Sequence, residues 1–126
     1  LRRPDVFSAA VAGAPVSDQR LYDTCYSERY LGHPDTDQDV YDANDLTLLA
    51  DRLTKPLMMI HGLADDNVAI AHTLKMSQAL LENGKAHEVL PLSGITHMAN
   101  SETVAENLAL LQLDFLRRAL ALDAGV

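Results

Sequence analysis

Three short apolar runs, each followed by a helical pattern, constrain this chain more than any other feature of its sequence. The run from Val6 to Ala14 is uncharged and stops at Pro15. Pro56-Leu57-Met58-Met59-Ile60 leads directly into His61-Gly62. Glu88-Val89-Leu90-Pro91-Leu92 carries its proline towards the end rather than the middle. Runs of this kind suit strands buried on both faces, as in a parallel sheet. For the alanine-rich first run a short buried helix stays open as the alternative.

The segments between them read as helices. Residues 18–31 place Tyr22, Tyr26 and Tyr30 at i, i+4 and i+8, on one helical face, and Gly32 and Pro34 end the pattern. Residues 33–45 are polar and acidic and read as a surface loop before a short helix at about 46–52. Ile70, Leu74, Ser77 and Leu81 give residues 68–82 a helical stripe, closed by Gly84. Thr103 and Glu106 form a capping box for a last helix, whose stripe of Val104, Leu108, Leu111 and Phe115 closes near Leu122. The order β, α, β, α, β, α requires parallel pairing, hence an α/β layered fold. Ligands of such sheets sit beyond the C-terminal ends of the strands. Here those ends are Pro15-Val16-Ser17, Gly62 to Val68, and Gly94 to His97.

Composition excludes several function classes. The hydrophobic share of 48% over 126 residues suffices for a packed core. A net charge of -8 argues against a nucleic-acid partner, since phosphate binding needs clustered cations. Cys25 is the only cysteine, which rules out an intrachain disulfide, fits a reducing compartment and gives the cytoplasm as the expected location. No apolar run is long enough to span a bilayer, so no membrane partner is expected. Asp35, Asp37 and Asp39 lack the glycine and terminal glutamate of a calcium loop, and no histidine has zincin spacing; neither a metal nor a cofactor is expected. The chain opens on Leu1-Arg2-Arg3-Pro4 without a methionine, and the expectation is that it was cut from a longer one.

Two of the strand-end loops carry chemistry. The loop after the second run holds Asp65, Asp66 and Asn67, and a strand-end loop backed by a helix can anchor the acid that orients a catalytic imidazole. The competing reading is that these residues merely cap the helix behind them. The loop after the third run holds His97. Loops that follow adjacent parallel strands are neighbours, and acid before histidine is the chain order of the α/β-hydrolases. His61 reads as a hydrogen-bonded support inside its loop, while His33, His72 and His87 read as surface residues.

Ala14-Pro15-Val16-Ser17, Tyr22-Asp23-x-x-Tyr26-x-Glu28-Arg29-Tyr30-x-Gly32 and His61-Gly62-x-Ala64-Asp65-Asp66-Asn67-Val68 are similar, in that order, to stretches of the prolyl oligopeptidase / dipeptidyl peptidase IV family. Over residues 6–120 the chain resembles the C-terminal part of that family's α/β-hydrolase catalytic domain, with the dipeptidyl peptidase IV branch nearer. The resemblance implies a serine peptidase cutting after Pro or Ala, with Asp65 as the acid and His97 as the base of the triad. It implies that Val16, Tyr22, Tyr26 and Val68 line the pocket for the residue before the scissile bond, and that Asn67 hydrogen-bonds a substrate carbonyl. Plain core packing stays open as the alternative for the tyrosines.

The chain departs from the family in having no Gly-x-Ser-x-Gly: Ser8, Ser17, Ser27, Ser77, Ser93 and Ser101 all lack that setting. The nucleophile and the family's propeller domain are therefore expected upstream of Leu1, and the fragment alone is expected to be inactive. Gln19 and Met98 also depart from the family, where an aromatic residue and glycine are frequent. An esterase or acylaminoacyl hydrolase on the same fold, and a non-enzymatic flavodoxin-like binding module, are the alternatives. A homo-oligomer, or the remainder of a longer chain, is expected to cover the edge of the first strand.

Overall fold

The computed structural model describes residues 1–99 and 101–121. Its sheet has three parallel strands, β1 (Ala10–Gly13), β2 (Leu57–Gly62) and β3 (Glu88–Leu92), in the spatial order β1-β2-β3. The helices are α1 (Thr24–Leu31), α2 (Gln38–Asn44), α3 (Ala71–Glu82) and α4 (Glu102–Ala119), with 3-10 turns at Gln19–Leu21 and Leu46–Arg52. The α/β architecture expected from the alternation of runs is present.

The central strand explains why its sequence is continuously apolar. Met59 packs against Ala50, Met76 and Leu80 on one face, and Met58 and Ile60 pack against Phe115 on the other. Successive side chains alternate across a strand, so covering both faces requires apolar residues at every position. The sheet is thus sandwiched between α3 with the 46–52 turn on one side and α4 on the other.

Several boundaries and faces differ from the sequence expectations. β1 covers only Ala10–Gly13 of the first run; Val6 and Phe7 are more than half exposed, beside a turn in which both amides bond the Arg3 carbonyl. The pattern at 18–31 breaks at Tyr22 and Asp23, because Asp18 and Asp23 each cap a separate start. The supposed loop at 33–45 contains α2, whose Tyr41 is buried with its hydroxyl donating to the Gly32 carbonyl at 2.9 Å.

The stripe on α3 lies elsewhere than expected. His72, Thr73, Met76 and Leu80 are buried, while Leu74 and Leu81 are exposed. The helix does end as expected: Gly84 takes φ +64, and the Lys85 amide reaches back to the Leu80 carbonyl at 2.8 Å in a Schellman closure. α4 begins one residue before Thr103, with Ser101 as N-cap and no side-chain cap bond, so the capping box is not formed. Its core-facing stripe is the buried Phe115 with the half-buried Leu108, Leu116 and Ala119; Leu111 is half exposed, and Leu122 lies outside the described residues.

Candidate active site

Register fixes where the two loops meet. Gly62, the last residue of β2, pairs with Leu92, the last of β3, so both loops leave the sheet at one level. The Leu63 amide then donates to Leu92 at 3.0 Å and the Ala64 amide to the Ile95 carbonyl at 3.1 Å, lacing the loops together. Gly62 is essential to this approach. A Cβ there would fall inside the contact distance of the Ile95 and Thr96 carbonyl oxygens, just before His97.

Asp65 emerges fully buried in this lacing, with side-chain exposure of 0%. Its Oδ1 accepts the backbone amides of Asn67 at 2.9 Å and Val68 at 2.8 Å. Its Oδ2 lies 2.9 Å from His97 Nδ1, with the ring 39% exposed at the rim. The helix-cap reading of the acidic pair is not what the structure has, since α3 starts at Ala71 with Ile70 as its N-cap. Asp65 instead closes a local turn with one oxygen and meets the imidazole with the other. Asp66 has no part in this pair.

Burial pushes the Asp65 carboxyl upward, but hydrogen bonds from His97 and from the Val68 and Asn67 amides outweigh it and hold the group below its ordinary value of 3.8. An ionised carboxylate fixed on Nδ1 leaves the imidazole proton there and the lone pair on Nε2. Among the described residues, Nε2 of His97 meets no hydrogen-bonding partner. His97 lines an open cleft of about 250 Å³ together with Gly13, Ala14, Ile60, Leu92 and Leu108 and the two loops. Ala14 holds φ +41 there as β1 turns away, a left-handed conformation unusual for a residue with a Cβ.

The expected pocket residues are brought together only in part. The Tyr22 hydroxyl donates to Asn67 Oδ1 at 2.9 Å, tying the first loop to the acid loop. Tyr26 meets Tyr22 edge-on at 5.6 Å between centroids, and Tyr30 lies 5.1 Å beyond. Tyr26 and Tyr30 are 55% and 65% exposed, so these rings are not core. Val16 is half-buried, whereas Val68 is buried and works through its backbone. Tyr26 and Tyr30, without Tyr22, border a separate depression with Gln19, Ser27 and Leu31.

A buried polar cluster that sequence reasoning missed anchors the first loop. Ser17 Oγ donates to the His72 carbonyl at 2.8 Å, and the Ser17 amide approaches His72 Nδ1 at 3.3 Å. Lys75 donates to Asp18 at 2.5 Å, and Arg20 lies 3.5 Å from the same carboxylate. Burial raises the Asp18 carboxyl, yet Lys75, the Arg20 amide and both cations together hold it below its ordinary value. His72 is therefore no surface residue: it is fully buried, and burial lowers its pKa. Nothing in its local sequence signals this, since Thr73 beside it is a second polar residue buried on the same helix. His87 is half-buried against Ser77, at 2.7 Å, and His33 is exposed.

Comparison with known proteins agrees with this fold. Residues 1–123 match the prolyl oligopeptidase family. Dipeptidyl peptidase 8 of Homo sapiens is 33% identical over 123 residues, 95% of this chain and 14% of that protein. Dipeptidyl peptidase 4 of Bos taurus is 29% identical over 120 residues, 93% of this chain and 16% of that protein. Among solved structures, dipeptidyl peptidase 4 of Porphyromonas gingivalis superposes with a TM-score of 0.89 at 27% identity, covering 94% of this chain and 17% of that one. A putative dipeptidyl aminopeptidase IV from Bacteroides ovatus gives 0.87 at 28% identity, covering 93% and 16%. The chain thus spans about a seventh of the length of the curated relatives it matches. On the match of nearly its whole length and on its α/β-hydrolase architecture, this chain belongs to the prolyl oligopeptidase family of serine hydrolases.

Proposed function

We propose that this chain supplies the acid and the base of a Ser-Asp-His triad in a serine peptidase that cleaves peptide bonds after Pro or Ala. The serine comes from sequence outside these residues, because no Gly-x-Ser-x-Gly occurs here. One observation carries the reading: the buried Asp65 carboxylate holds His97 Nδ1 at 2.9 Å, beside a cleft at the C-terminal ends of the strands that His97 helps to line.

In the reaction, His97 Nε2 takes the proton of the serine hydroxyl as its oxygen attacks the scissile carbonyl. Asp65 stays ionised, held by the Val68 and Asn67 amides, and stabilises the imidazolium through Nδ1. His97 then gives the proton to the leaving amine, and the acyl-enzyme is released when His97 deprotonates a water. The edge-on rings of Tyr22 and Tyr26 suit the flat, apolar ring of proline, and Asn67 offers an amide to a substrate carbonyl. Release of dipeptides is supported by the names of the relatives.

The test uses the full-length protein that contains this segment, assayed on a fluorogenic Ala-Pro amide and on an acyl ester. Asp65→Asn is expected to lower kcat about 10⁴-fold, by stabilising the wrong imidazole tautomer, and His97→Ala by a similar or larger factor. Retention of more than a tenth of the wild-type kcat in either variant overturns the assignment. Ester turnover without amide turnover would move the enzyme to the esterases.

A further inference from the structure

The residue with the least explained surroundings in this site is His61, on β2. It is 1% exposed, and both ring nitrogens are engaged: Nδ1 with Thr73 Oγ1 and Nε2 with the Val68 carbonyl, each at 2.7 Å. A carbonyl can only accept, so the Val68 bond places a proton on Nε2. Nδ1 is left to pair with the Thr73 hydroxyl.

This orientation has a consequence for the acid. His61 Nε2 lies 3.4 Å from Asp65 Oδ2, the oxygen that meets His97. The same Val68 whose carbonyl binds His61 donates its amide to Asp65 Oδ1. The imidazole therefore pins the far end of the Asp65 turn and turns a polarised N–H edge towards the carboxylate. Asp65 Oδ2 sits between two imidazoles, the rim one at hydrogen-bonding distance and the buried one behind it.

We infer that His61, oriented by Thr73, is a positioning residue for catalysis: it fixes the Val68 carbonyl and the Asp65 carboxylate so that the latter meets His97 in line. The inference rests on Asp65 and His97 acting as acid and base, and His61 touches neither substrate nor nucleophile. A displacement of the acid by about 1 Å, for groups remote from the chemistry, costs on the order of 10²-fold in rate. It does so in the transition state, where the imidazolium forms, and leaves substrate binding alone.

The experiment is steady-state kinetics on the full-length protein with His61→Leu, His61→Gln and Thr73→Val. His61→Leu is expected to lower kcat by roughly 10- to 100-fold with KM unchanged, the signature of a loss confined to the transition state. His61→Gln can return an amide N–H to the Val68 carbonyl and should recover most of that loss. Thr73→Val should fall in the same direction by a smaller factor. In an Asp65→Asn background, His61→Leu should add little, because it acts through the acid.

Equal impairment of the Leu and Gln variants would reduce His61 to packing and overturn the inference, as would a His61→Leu enzyme with full kcat. Should His61→Leu fail to fold, Thr73→Val decides, and wild-type kcat in that variant overturns it. An inactive Asp65→Asn enzyme beside an unaffected His61→Leu enzyme sinks this inference alone. A fully active Asp65→Asn enzyme sinks the triad reading with it.

Discussion

Gly62→Ala is the smallest change that should separate Asp65 from His97. The added Cβ would meet the Ile95 carbonyl carbon at 3.0 Å and both neighbouring carbonyl oxygens well inside that distance, closer than real Cβ atoms come. These are backbone atoms, so no side-chain rotation relieves the clash. The loop carrying His97 must withdraw, by on the order of 1 Å if the carbonyls are to regain ordinary contact. The His97–Asp65 separation of 2.9 Å would then exceed the range in which a hydrogen bond is held. The lacing bond from the Ala64 amide to Ile95 would be strained together with it.

A misplacement of that size costs about 10²-fold in kcat/KM, and overpacking of this kind about 1–3 kcal/mol in stability. The full-length Gly62→Ala enzyme should therefore remain folded, with a lowered melting temperature and a crippled turnover. Steady-state kinetics on an Ala-Pro amide, beside a thermal melt, measures both. Activity within threefold of wild type would refute the reasoning, since the two loops would then not depend on glycine for their approach.

Two further outcomes follow from burial and charge. His72 is held below its ordinary pKa of 6.5 by burial, so the stability it contributes is complete above pH 6.5 and declines as pH falls through its folded value. Asp18 and Asp65, held below 3.8, add their losses only at lower pH. The melting temperature should thus begin to fall below pH 6.5, and His72→Asn should flatten that first decline; a variant with the wild-type slope there would contradict it. Leu80, with 0% exposure, should cost about 2–5 kcal/mol on truncation to Ala, whereas Leu81, at 74%, should cost almost nothing. Reversal of that order in thermal or denaturant unfolding would mean the wrong face of α3 is packed.

The α3 pair shows how far the sequence could be read. Ile70, Leu74, Ser77 and Leu81 and the observed Met76 and Leu80 both satisfy a 3.6-residue period, because apolar residues occur on two sides of this helix. Periodicity reports that a helix has an apolar face and does not say which face the sheet covers. The choice was made by His72 and Thr73, polar residues whose burial depends on partners from Ser17 and His61, far away in the sequence. For β2 no such ambiguity arose, since a strand covered on both faces needs apolar residues throughout and Leu57 to Ile60 supply them.

The meeting of Asp65 with His97 was legible for a related reason. Asp65 and His97 stand at strand ends that a parallel sheet must bring together, and the register of Gly62 with Leu92 does so. The parts that escaped notice act by spacing rather than by chemistry. Gly62 holds two backbones together by having no side chain, and Thr73 orients a histidine that is itself hidden. The Asp18–Lys75 pair joins residues 57 apart on different elements, with nothing in either local stretch to mark the partner. Identity of residue and position along a strand end locate the candidate groups. What aims them is set by contacts between elements, and only coordinates reveal it.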